Sequence, residues 1–229
     1  MKKYVQIGAG SSNFDKNFKD GFTNFLKQNN KNIEIFIVEA NSIHIKKLKK
    51  IWKRYKKTQI FNFAIIPDNI NQKTMTFFYS EKDSPDFQIF SNSIKFVRKH
   101  FTTGKIRRKT VKCKSLSVFL DQNFLKKIDF LSLDIEGMDY EVIKNFKFKK
   151  FDIKNISFEH LHLSFFEKII IIYKLTLSDY FFSGMGFDLR KSDWMFTKNY
   201  KKFFLKTFLL PITPRRIWKK YDFSEFLKK

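Results

Sequence analysis

The segment Tyr4–Gly10, with the sequence YVQIGAG, decides the fold of this chain. A short strand-like run leads directly into Gly-Ala-Gly, and the spacing of phenylalanines within residues 14–26 is typical of a helix. A strand that turns tightly into a helix directs backbone N–H groups at a ligand. Asn13 stands where the dinucleotide fingerprint has its third glycine, and no Gly-Lys-Ser/Thr follows. The segment therefore predicts a ligand-binding turn that is not built for a pyrophosphate.

Strand-like and helix-like segments alternate along the rest of the chain. We predict strands at Tyr4–Ile7, Ile33–Val38, Thr58–Ile66, Lys109–Cys113, Ile128–Asp134 and Ile153–Glu159, and a closing hairpin of Gly186–Arg190 with Trp194–Lys198. We predict helices at Phe14–Leu26, Ser42–Tyr55 (capped by Ser42), Leu116–Asn123, Tyr140–Phe146 and Phe165–Phe182. The alternation favours right-handed strand–helix–strand units, and so an α/β fold with a mostly parallel sheet.

The length of 229 residues suits one α/β domain with a short appendage. We place the domain at residues 1–199 and a basic, aromatic tail at residues 200–229. Residues 75–103 follow no regular pattern and predict a hairpin with an extended insertion. Because the chain starts directly at the first strand, the insertion and the tail are the candidate substrate contacts. The single cysteine, Cys113, excludes an internal disulfide framework and a cysteine-based zinc cage.

The net charge of +24 has two explanations. Abundant Lys, Asn, Ile and Phe with scarce Ala, Gly and Pro are typical of AT-rich codon usage, and the lysines spread through every segment. The alternative is a polyanionic surface or partner. No secretory signal is visible, and the longest aliphatic run, Ile169–Ile172, is far too short to span a membrane. We therefore expect a cytoplasmic protein.

Small residues are rare in this chain, and they follow the predicted strands. The three alanines are Ala9, Ala40 and Ala64, and the glycines at comparable positions are Gly8, Gly10 and Gly137. In open α/β sheets, ligands bind outside the carboxyl ends of the strands. Small side chains there leave room for a ligand to touch the backbone, which predicts a pocket at this edge. The alternative is that these residues only punctuate turns.

Acidic residues follow two of the same strands. Glu39 ends the second strand, where a carboxylate can accept hydrogen bonds from both hydroxyls of a ribose. A nucleoside cofactor without phosphates fits this pairing, and S-adenosylmethionine is the common one. Asp134 and Glu136 follow the strand at 128–134, where carboxylates are costly unless they bind something. Asp139 is interpreted as compensation of the dipole of the next helix.

Two of the four histidines lie at the end of the strand Ile153–Glu159. His160 and His162 flank the crevice edge beside Glu159, and a histidine there suits general-base work near neutral pH. We predict that Glu159 and His162 contact the substrate. A His-X-His pair with nearby carboxylates is also a weak metal signal, and a structural role is the third interpretation.

Six segments carry a resemblance to FkbM-type methyltransferases. They are Val5–Asp15, Val38–Asn41, Asn62–Ile65, Ile128–Glu141, Phe158–His160 and Gly184–Phe187, in the same relative order. The most specific piece is Asp-Ile-Glu-Gly at 134–137. The resemblance implies the Rossmann-like class I methyltransferase fold, with a mostly parallel seven-stranded sheet and a C-terminal antiparallel hairpin strand. It also implies S-adenosylmethionine as methyl donor.

The resemblance assigns roles around the cofactor. The Gly8–Gly10 turn would face the methionine part, Glu39 with its neighbour Ala40 the ribose, and Asn62 to Ala64 the adenine, while Asp134 completes the cofactor-binding set. Two departures from the family pattern are visible. The loop after Gly10 reads Ser-Ser-Asn where relatives often have a further glycine, and Ala40 stands where many have proline.

The expected reaction is O-methylation of a hydroxyl on a sugar, a glycan or another small metabolite. The substrate oxygen attacks the methyl group in line, so the main task is orientation of two bound reactants. His160 is the first candidate for the base, followed by Asp134 and Glu136. If a divalent ion assists, Asp134 and Glu136 are its expected oxygen ligands.

Two other functions stay open. One is an RNA- or DNA-directed methyltransferase, which the charge favours. The Asp-Ile-Glu-Gly corner argues against it, because base-amine methyltransferases commonly carry an Asn/Asp-Pro-Pro-aromatic corner and because acids repel a polyanion. The other is a catalytically degenerate domain that binds an anionic membrane or glycan through Lys201–Lys229, where aromatic residues alternate with cations. Packing of those aromatic residues on the domain is the simpler explanation.

Overall fold

The computed structural model describes residues 1–10, 21–28, 32–83, 89–186, 192–218 and 220–221. Its strands are β1 (Lys2–Ile7), β2 (Ile33–Val38), β3 (Thr58–Phe61), β4 (Ala64–Ile66), β5 (Thr74–Ser80), β6 (Ile106–Ser115), β7 (Lys127–Leu133), β8 (Asp152–Glu159), β9 (Tyr180–Met185) and β10 (Asp193–Lys198). Its helices are α1 (Gly21–Gln28), α2 (Ser42–Trp52), α3 (Ile94–His100), α4 (Leu116–Gln122), α5 (Asp139–Asn145), α6 (Phe165–Thr176), α7 (Phe204–Leu209) and α8 (Arg215–Trp218).

A seven-stranded sheet organises the described residues, with the strand order β3-β2-β1-β7-β8-β10-β9. The first five strands in that order run parallel, while β10 lies antiparallel between β8 and β9. Both the α/β class and the C-terminal antiparallel hairpin strand that the sequence predicts are therefore confirmed.

Helices cover both faces of this sheet, which is why its central strands are apolar almost throughout. Successive residues of a strand point to opposite faces. On β1, Val5 and Ile7 pack into the core formed with α4, α5 and α6, whereas Tyr4 packs on the other face with α1 and α2. On α1, Phe22 and Phe25 are buried as their spacing predicts. The predicted helix residues 14–20 lie outside the described residues.

A smaller sheet forms from β4, β6 and β5, at the end of the main sheet where the parallel strands finish. β5 runs antiparallel to β6, and α3 lies in the segment between them. This arrangement gives the predicted insertion at 75–103 a strand and a helix. Its apolar side packs with Met138, which lies in the loop after β7.

Two local predictions were wrong. The segment Thr58–Ile66 is not one strand, because β3 pairs with β2 whereas β4 pairs with β6. The chain changes sheet at Asn62, whose side-chain amide donates to the carbonyl oxygens of Glu39 and Ala40 at 2.9 and 3.1 Å. Helix α2 is capped by Asn41 and not by Ser42, since the Asn41 side chain accepts the N–H of Ile43 at 3.3 Å.

The predicted helix Phe165–Phe182 was also too long. Helix α6 ends at Thr176, Asp179 takes a positive φ of 64°, and β9 begins at Tyr180. Because β9 is buried on both sides, its continuous apolar sequence looks the same as that of a buried helix. The closing hairpin is therefore β9 with β10, while the predicted partner at 187–190 lies outside the described residues.

The described part of the tail packs along β9, the last strand of the sheet. The Thr207 hydroxyl accepts the N–H of Phe182 at 3.0 Å, and the Tyr221 carbonyl accepts the N–H of Met185 at 2.6 Å. Trp218 is buried in the main core. The tail thus covers a strand edge that would otherwise expose unpaired backbone groups. Over the described ranges, none of the helices combines the length and the apolar character needed to cross a bilayer.

Candidate active site

The register of the parallel strands brings four loop starts together at one edge of the sheet. Ile7 pairs with Val38 on one side and with Leu133 on the other, and Leu133 pairs with Phe158. The residues that follow these strand ends are consequently neighbours. They are Gly8, Glu39, Asp134 and Glu159. The sequence predicts the ligand-binding crevice at this edge.

Gly8 fixes how closely the first and third of these loops approach. Its φ is +78°, and a Cβ atom at this position would lie 1.6 Å from the carbonyl oxygen of Asp134. Both observations restrict the position to glycine. The N–H of Gly8 donates to Val38 at 2.9 Å, and the N–H of Asp134 donates to Ile7 at 3.0 Å. The floor of the crevice is thus held by backbone hydrogen bonds and close packing.

Glu39 ties the turn after β1 to the end of β2. One carboxylate oxygen accepts the N–H of Gly10 at 2.7 Å, and the other accepts the N–H of Asn41 at 2.6 Å. The residue is only 6% exposed, and burial raises the pKa of Glu39 to about 7 although the N–H donors oppose the rise. A carboxylate has about four acceptor sites, so it retains capacity for hydroxyl donors of a ligand. Ala9 is buried beside this turn.

Asp134 combines solvent exposure with dense surroundings, as expected for a side chain on the floor of a concave site. Enclosure by protein raises the pKa of Asp134 well above its usual range, and the negative charges of Glu136, Glu159 and Asp193 raise it further. Such a carboxyl holds its proton more tightly than a surface aspartate. It therefore has the acid–base character of a catalytic group.

Glu136 has an uncommon backbone conformation, and its backbone accepts a hydrogen bond from the segment after β5. Its φ is +48°, which is uncommon for a residue with a side chain, and its carbonyl accepts the Ser91 hydroxyl at 2.8 Å. The pKa of Glu136 is raised to about 7, mainly by burial and further by the negative charges of Asp139, Glu39 and Asp83. Charge coupling thus links Glu136 to the acid at the end of β2, on the far side of β1.

Asp139 and Asp193 belong to the same acidic group, and sequence reasoning gave neither a site role. Asp139, the first residue of α5, is 3% exposed, and burial raises the pKa of its carboxyl to about 7 against backbone N–H donors. Its Oδ1 atom has no hydrogen-bond partner among the described residues. Asp193 begins β10 and pairs with Glu159 at the end of β8. The group of three acids within six residues at 134–139 was the sequence signal for Asp139, whereas Asp193 is identified only through strand pairing.

The two candidate histidines lie in different environments. His160 is 5% exposed, and its ring stacks on Trp194 at 4.5 Å between centroids. Its backbone N–H donates to the carbonyl oxygen of Ser192 at 3.1 Å. The His162 Nε2 lies 3.3 Å from a carboxylate oxygen of Glu159. The assignment of His160 as the base stays a prediction, but its buried, stacked ring contrasts with the exposed carboxyl of Asp134.

His162 also connects the crevice edge to the insertion. Its ring contacts Phe96 of α3 at 4.7 Å between centroids and lies near His100 at 5.5 Å. Burial lowers the pKa of His162, and the positive charges of His100 and Lys99 lower it further. Neutral His162 is therefore the dominant form near neutral pH. The predicted substrate contacts Glu159 and His162 thus adjoin each other and the predicted substrate-contacting insertion.

The remaining predicted residues lie around the same edge. Asn62 and Ala64 lie where the chain passes from the main sheet to the small sheet, and Ala64 is buried there. The hydrogen bonds of the Asn62 side chain connect this point to the backbone at Ala40. Within the described ranges, no three His, Cys, Asp or Glu side chains are arranged to hold a metal ion. Asp134 and Glu136 are therefore not joined by a third described ligand, and a metal role for them stays a prediction.

The chain is similar to known proteins in sequence and in structure. The sequence model of the methyltransferase FkbM domain matches residues 6–190 of the chain. No curated protein matches at a significant level. Among solved structures, the precorrin-6y C5,15-methyltransferase from Geobacter metallireducens GS-15 is similar over 86% of this chain and 78% of that chain, with 13% sequence identity and a TM-score of 0.42.

Proposed function

Since the chain belongs to the FkbM family of methyltransferases, and is thus an S-adenosylmethionine-dependent enzyme, we propose that it methylates a hydroxyl oxygen of a sugar, a glycan or another small polar metabolite. The observation that supports this acceptor class is the acidic crevice. Acids gather there from the ends of β2, β7 and β8 and from the start of β10, and their charges raise the pKa values of Asp134 and Glu136. This local negative charge contrasts with the net charge of +24 of the whole chain.

Carboxylates suit an acceptor that is rich in hydroxyl groups. An ionised carboxyl accepts hydrogen bonds and donates none, so it pairs with sugar hydroxyls in any orientation that brings their protons inward. The same carboxylates repel phosphates. A nucleic-acid acceptor is disfavoured for this reason, although the rest of the surface is basic. The acceptor class therefore follows from the local charge of the crevice and not from the net charge.

The residues present fit S-adenosylmethionine. Gly8 lets the turn after β1 pack directly against the Asp134 carbonyl, and Glu39 holds the Gly10 turn while keeping acceptor capacity for ribose hydroxyls. Asn62, near which the adenine is expected, donates a hydrogen bond to the carbonyl oxygen of Ala40. When bound, S-adenosylmethionine supplies a methyl group on a positively charged sulfur. The nearby acids favour that charge by electrostatic attraction.

Asp134 is the base that this geometry favours. Its carboxyl is exposed in the crevice, and its raised pKa makes it a better proton acceptor than an ordinary aspartate. It accepts the proton that the acceptor hydroxyl loses as the new oxygen–carbon bond forms. Glu136 lies in the same charge-coupled group and is the second candidate. The Glu159–His162 pair orients the acceptor at the edge of the insertion.

Two measurements test the proposal in sequence. Thermal unfolding is followed with S-adenosylmethionine, with its demethylated product and with NAD as control, since a ligand at about a hundred times its dissociation constant adds roughly 2.7 kcal/mol of stability. Methyl transfer to a panel of hydroxylated sugars is then compared with transfer to RNA and DNA oligonucleotides.

The expected result is a higher unfolding temperature with S-adenosylmethionine and with its demethylated product, and methyl transfer to sugars alone. Transfer to an oligonucleotide, with steep salt dependence, would instead establish the nucleic-acid-directed enzyme. Absence of both the shift and the transfer would favour the degenerate binding domain.

A further inference from the structure

Helix α6 exposes one apolar face while burying another. Ile171, Ile172 and Leu175 are buried against the sheet. The exposed apolar residues of the helix and its C-terminal end are Phe165, Phe166, Ile169, Ile170, Tyr173 and Leu177. Their spacing follows the helical repeat, so they form a continuous stripe. A helix that is apolar all round is normally covered on every side.

The C-terminal segment extends this stripe. Helices α6 and α7 both pack on β9 and touch each other, so their outer surfaces are adjacent. The exposed apolar residues of α7 and the segment after it are Phe204, Leu205, Phe208, Leu209, Ile212 and Ile217. We call these two sets together the docking face. Exposed apolar residues scattered singly are normal, but a contiguous set of this kind marks an interaction surface.

The charges around the docking face select the occupant. Residues 200–221 contain seven Lys or Arg residues and no Asp or Glu. Lys201, Lys202 and Arg216 are exposed beside the apolar residues of α7 and α8. A second copy of this chain would bring the same cations against each other, which disfavours self-association. Phenylalanine, leucine and isoleucine bordered by cations are the composition of segments that lie on anionic bilayers.

We propose that the docking face binds reversibly to an anionic lipid bilayer. The apolar side chains enter the boundary between headgroups and acyl chains, and the lysines and arginine meet the anionic headgroups. This is attachment from one side, with the domain outside the bilayer. Phe165 follows Glu159 of the crevice by only six residues, so one end of the docking face adjoins the crevice edge. Docking therefore brings the crevice close to the bilayer surface. The proposal does not depend on the acceptor proposed above.

Vesicle co-sedimentation of the full chain tests the proposal, with phosphatidylcholine vesicles that contain or lack phosphatidylglycerol. The chain is expected to bind the anionic vesicles and to dissociate at about 1 M salt, where screening is nearly complete. Phe166→Ser and Leu205→Ser remove the most exposed side chains of α6 and α7, at 74% and 75%. Each variant is expected to weaken binding about tenfold, because burial of one large apolar side chain contributes at least that factor.

Phe124→Ser is the matched control. Phe124 is 83% exposed, lies between α4 and β7 and does not belong to the docking face, so its loss is expected to leave vesicle binding unchanged. All three positions are exposed, so circular dichroism should show unchanged folding. Equal binding to neutral and anionic vesicles, or equal binding of all variants, overturns the proposal. Absence of vesicle binding also overturns it. In that case a dimer that Phe166→Ser dissociates would assign the docking face to self-association.

Discussion

Acids at the two ends of the main sheet have opposite electrostatic surroundings. At the carboxyl end of β7, Asp134 lies among other acids, and enclosure by protein followed by the charges of those acids raises its pKa. At the amino end, Asp121 contacts Lys126 and Lys150, and these hydrogen bonds lower its pKa. Asp152, which begins β8, similarly pairs with Lys198 at 2.9 Å. Residues of one chemical type thus differ because of what surrounds them.

This difference separates function from stability within one sheet. A pocket at the amino end is lined by five lysines together with Asp129 and Asp152, so opposite charges are mixed there. The carboxyl end gathers like charges, which is unfavourable for folding and useful for binding and proton transfer. In open α/β sheets ligands bind at that end. Substitution of acids at the two ends should therefore have opposite effects on stability and unequal effects on activity.

The largest effect is expected from Asp134→Asn. Loss of the proposed base should lower kcat by about a hundredfold or more, since general-base catalysis contributes about 10²–10⁴. Removal of one charge from the acidic group should also leave the fold at least as stable as wild type. Steady-state kinetics with a sugar acceptor and urea unfolding check both parts. Asp152→Asn is the matched control at the other end, expected to keep near wild-type turnover. A near wild-type rate for Asp134→Asn would exclude it as the base.

Gly8→Ala should be the next most severe change. The new Cβ atom would lie 1.6 Å from the Asp134 carbonyl oxygen at a φ of +78°, so strain and overlap together should cost about 4 kcal/mol of stability. Binding of S-adenosylmethionine should fall with it. Calorimetric titration and urea unfolding measure the two effects.

Gly104 offers the control for backbone strain. Its φ is +94°, but an added Cβ atom would meet only the flexible side chain of Lys82. Gly104→Ala should therefore lose about 1 kcal/mol from its backbone conformation and bind the methyl donor normally. If both variants bind equally well, the close packing of the Gly8 turn is not required for the site.

The pH dependence of stability should show the buried acids directly. The pKa of Asp139 is raised to about 7, so the unfolded chain loses this proton at a lower pH than the folded chain. The stability that the protonated form contributes is complete below about pH 4 and is lost as the pH rises to about 7. Asp139→Asn removes this loss, and its stability should exceed that of wild type by up to about 4 kcal/mol above pH 7. Urea unfolding across this range checks it, and parallel curves would contradict it.

Sequence patterns predicted much of the fold because several signals agree in β1, β2, β7 and β8. Each is a short apolar run that ends at a glycine or an acid, and strand pairing then places those ends side by side. The pattern failed where a buried strand and a buried helix have the same composition, as at Tyr180–Met185. It also failed at Asn62, where tertiary hydrogen bonds divide one apolar run between two sheets.

The site was predictable only in part for a related reason. Glu39, Asp134 and Glu136 follow their strands directly, so sequence position alone indicates the crevice. Asp193 reaches the crevice because β10 pairs antiparallel with β8, and no local pattern carries that information. The burial of His160 against Trp194 likewise depends on two strands meeting. The charges and rings that surround the site residues therefore depend on contacts between segments that are distant in the sequence.

The smallest effect is expected at the amino end of the sheet. Asp121→Asn breaks the contacts with Lys126 and Lys150, which are surface interactions that contribute little and are screened by salt. Because the pKa of Asp121 is lowered, its contribution to stability is present above its ordinary pKa and is lost as the pH falls. This sign is opposite to that of Asp139. Urea unfolding at low and high salt should show a slight loss for Asp121→Asn near neutral pH that disappears at about 1 M salt. A gain in stability would remove the electrostatic distinction between the two ends, because Asp121 would then behave like the acids of the crevice.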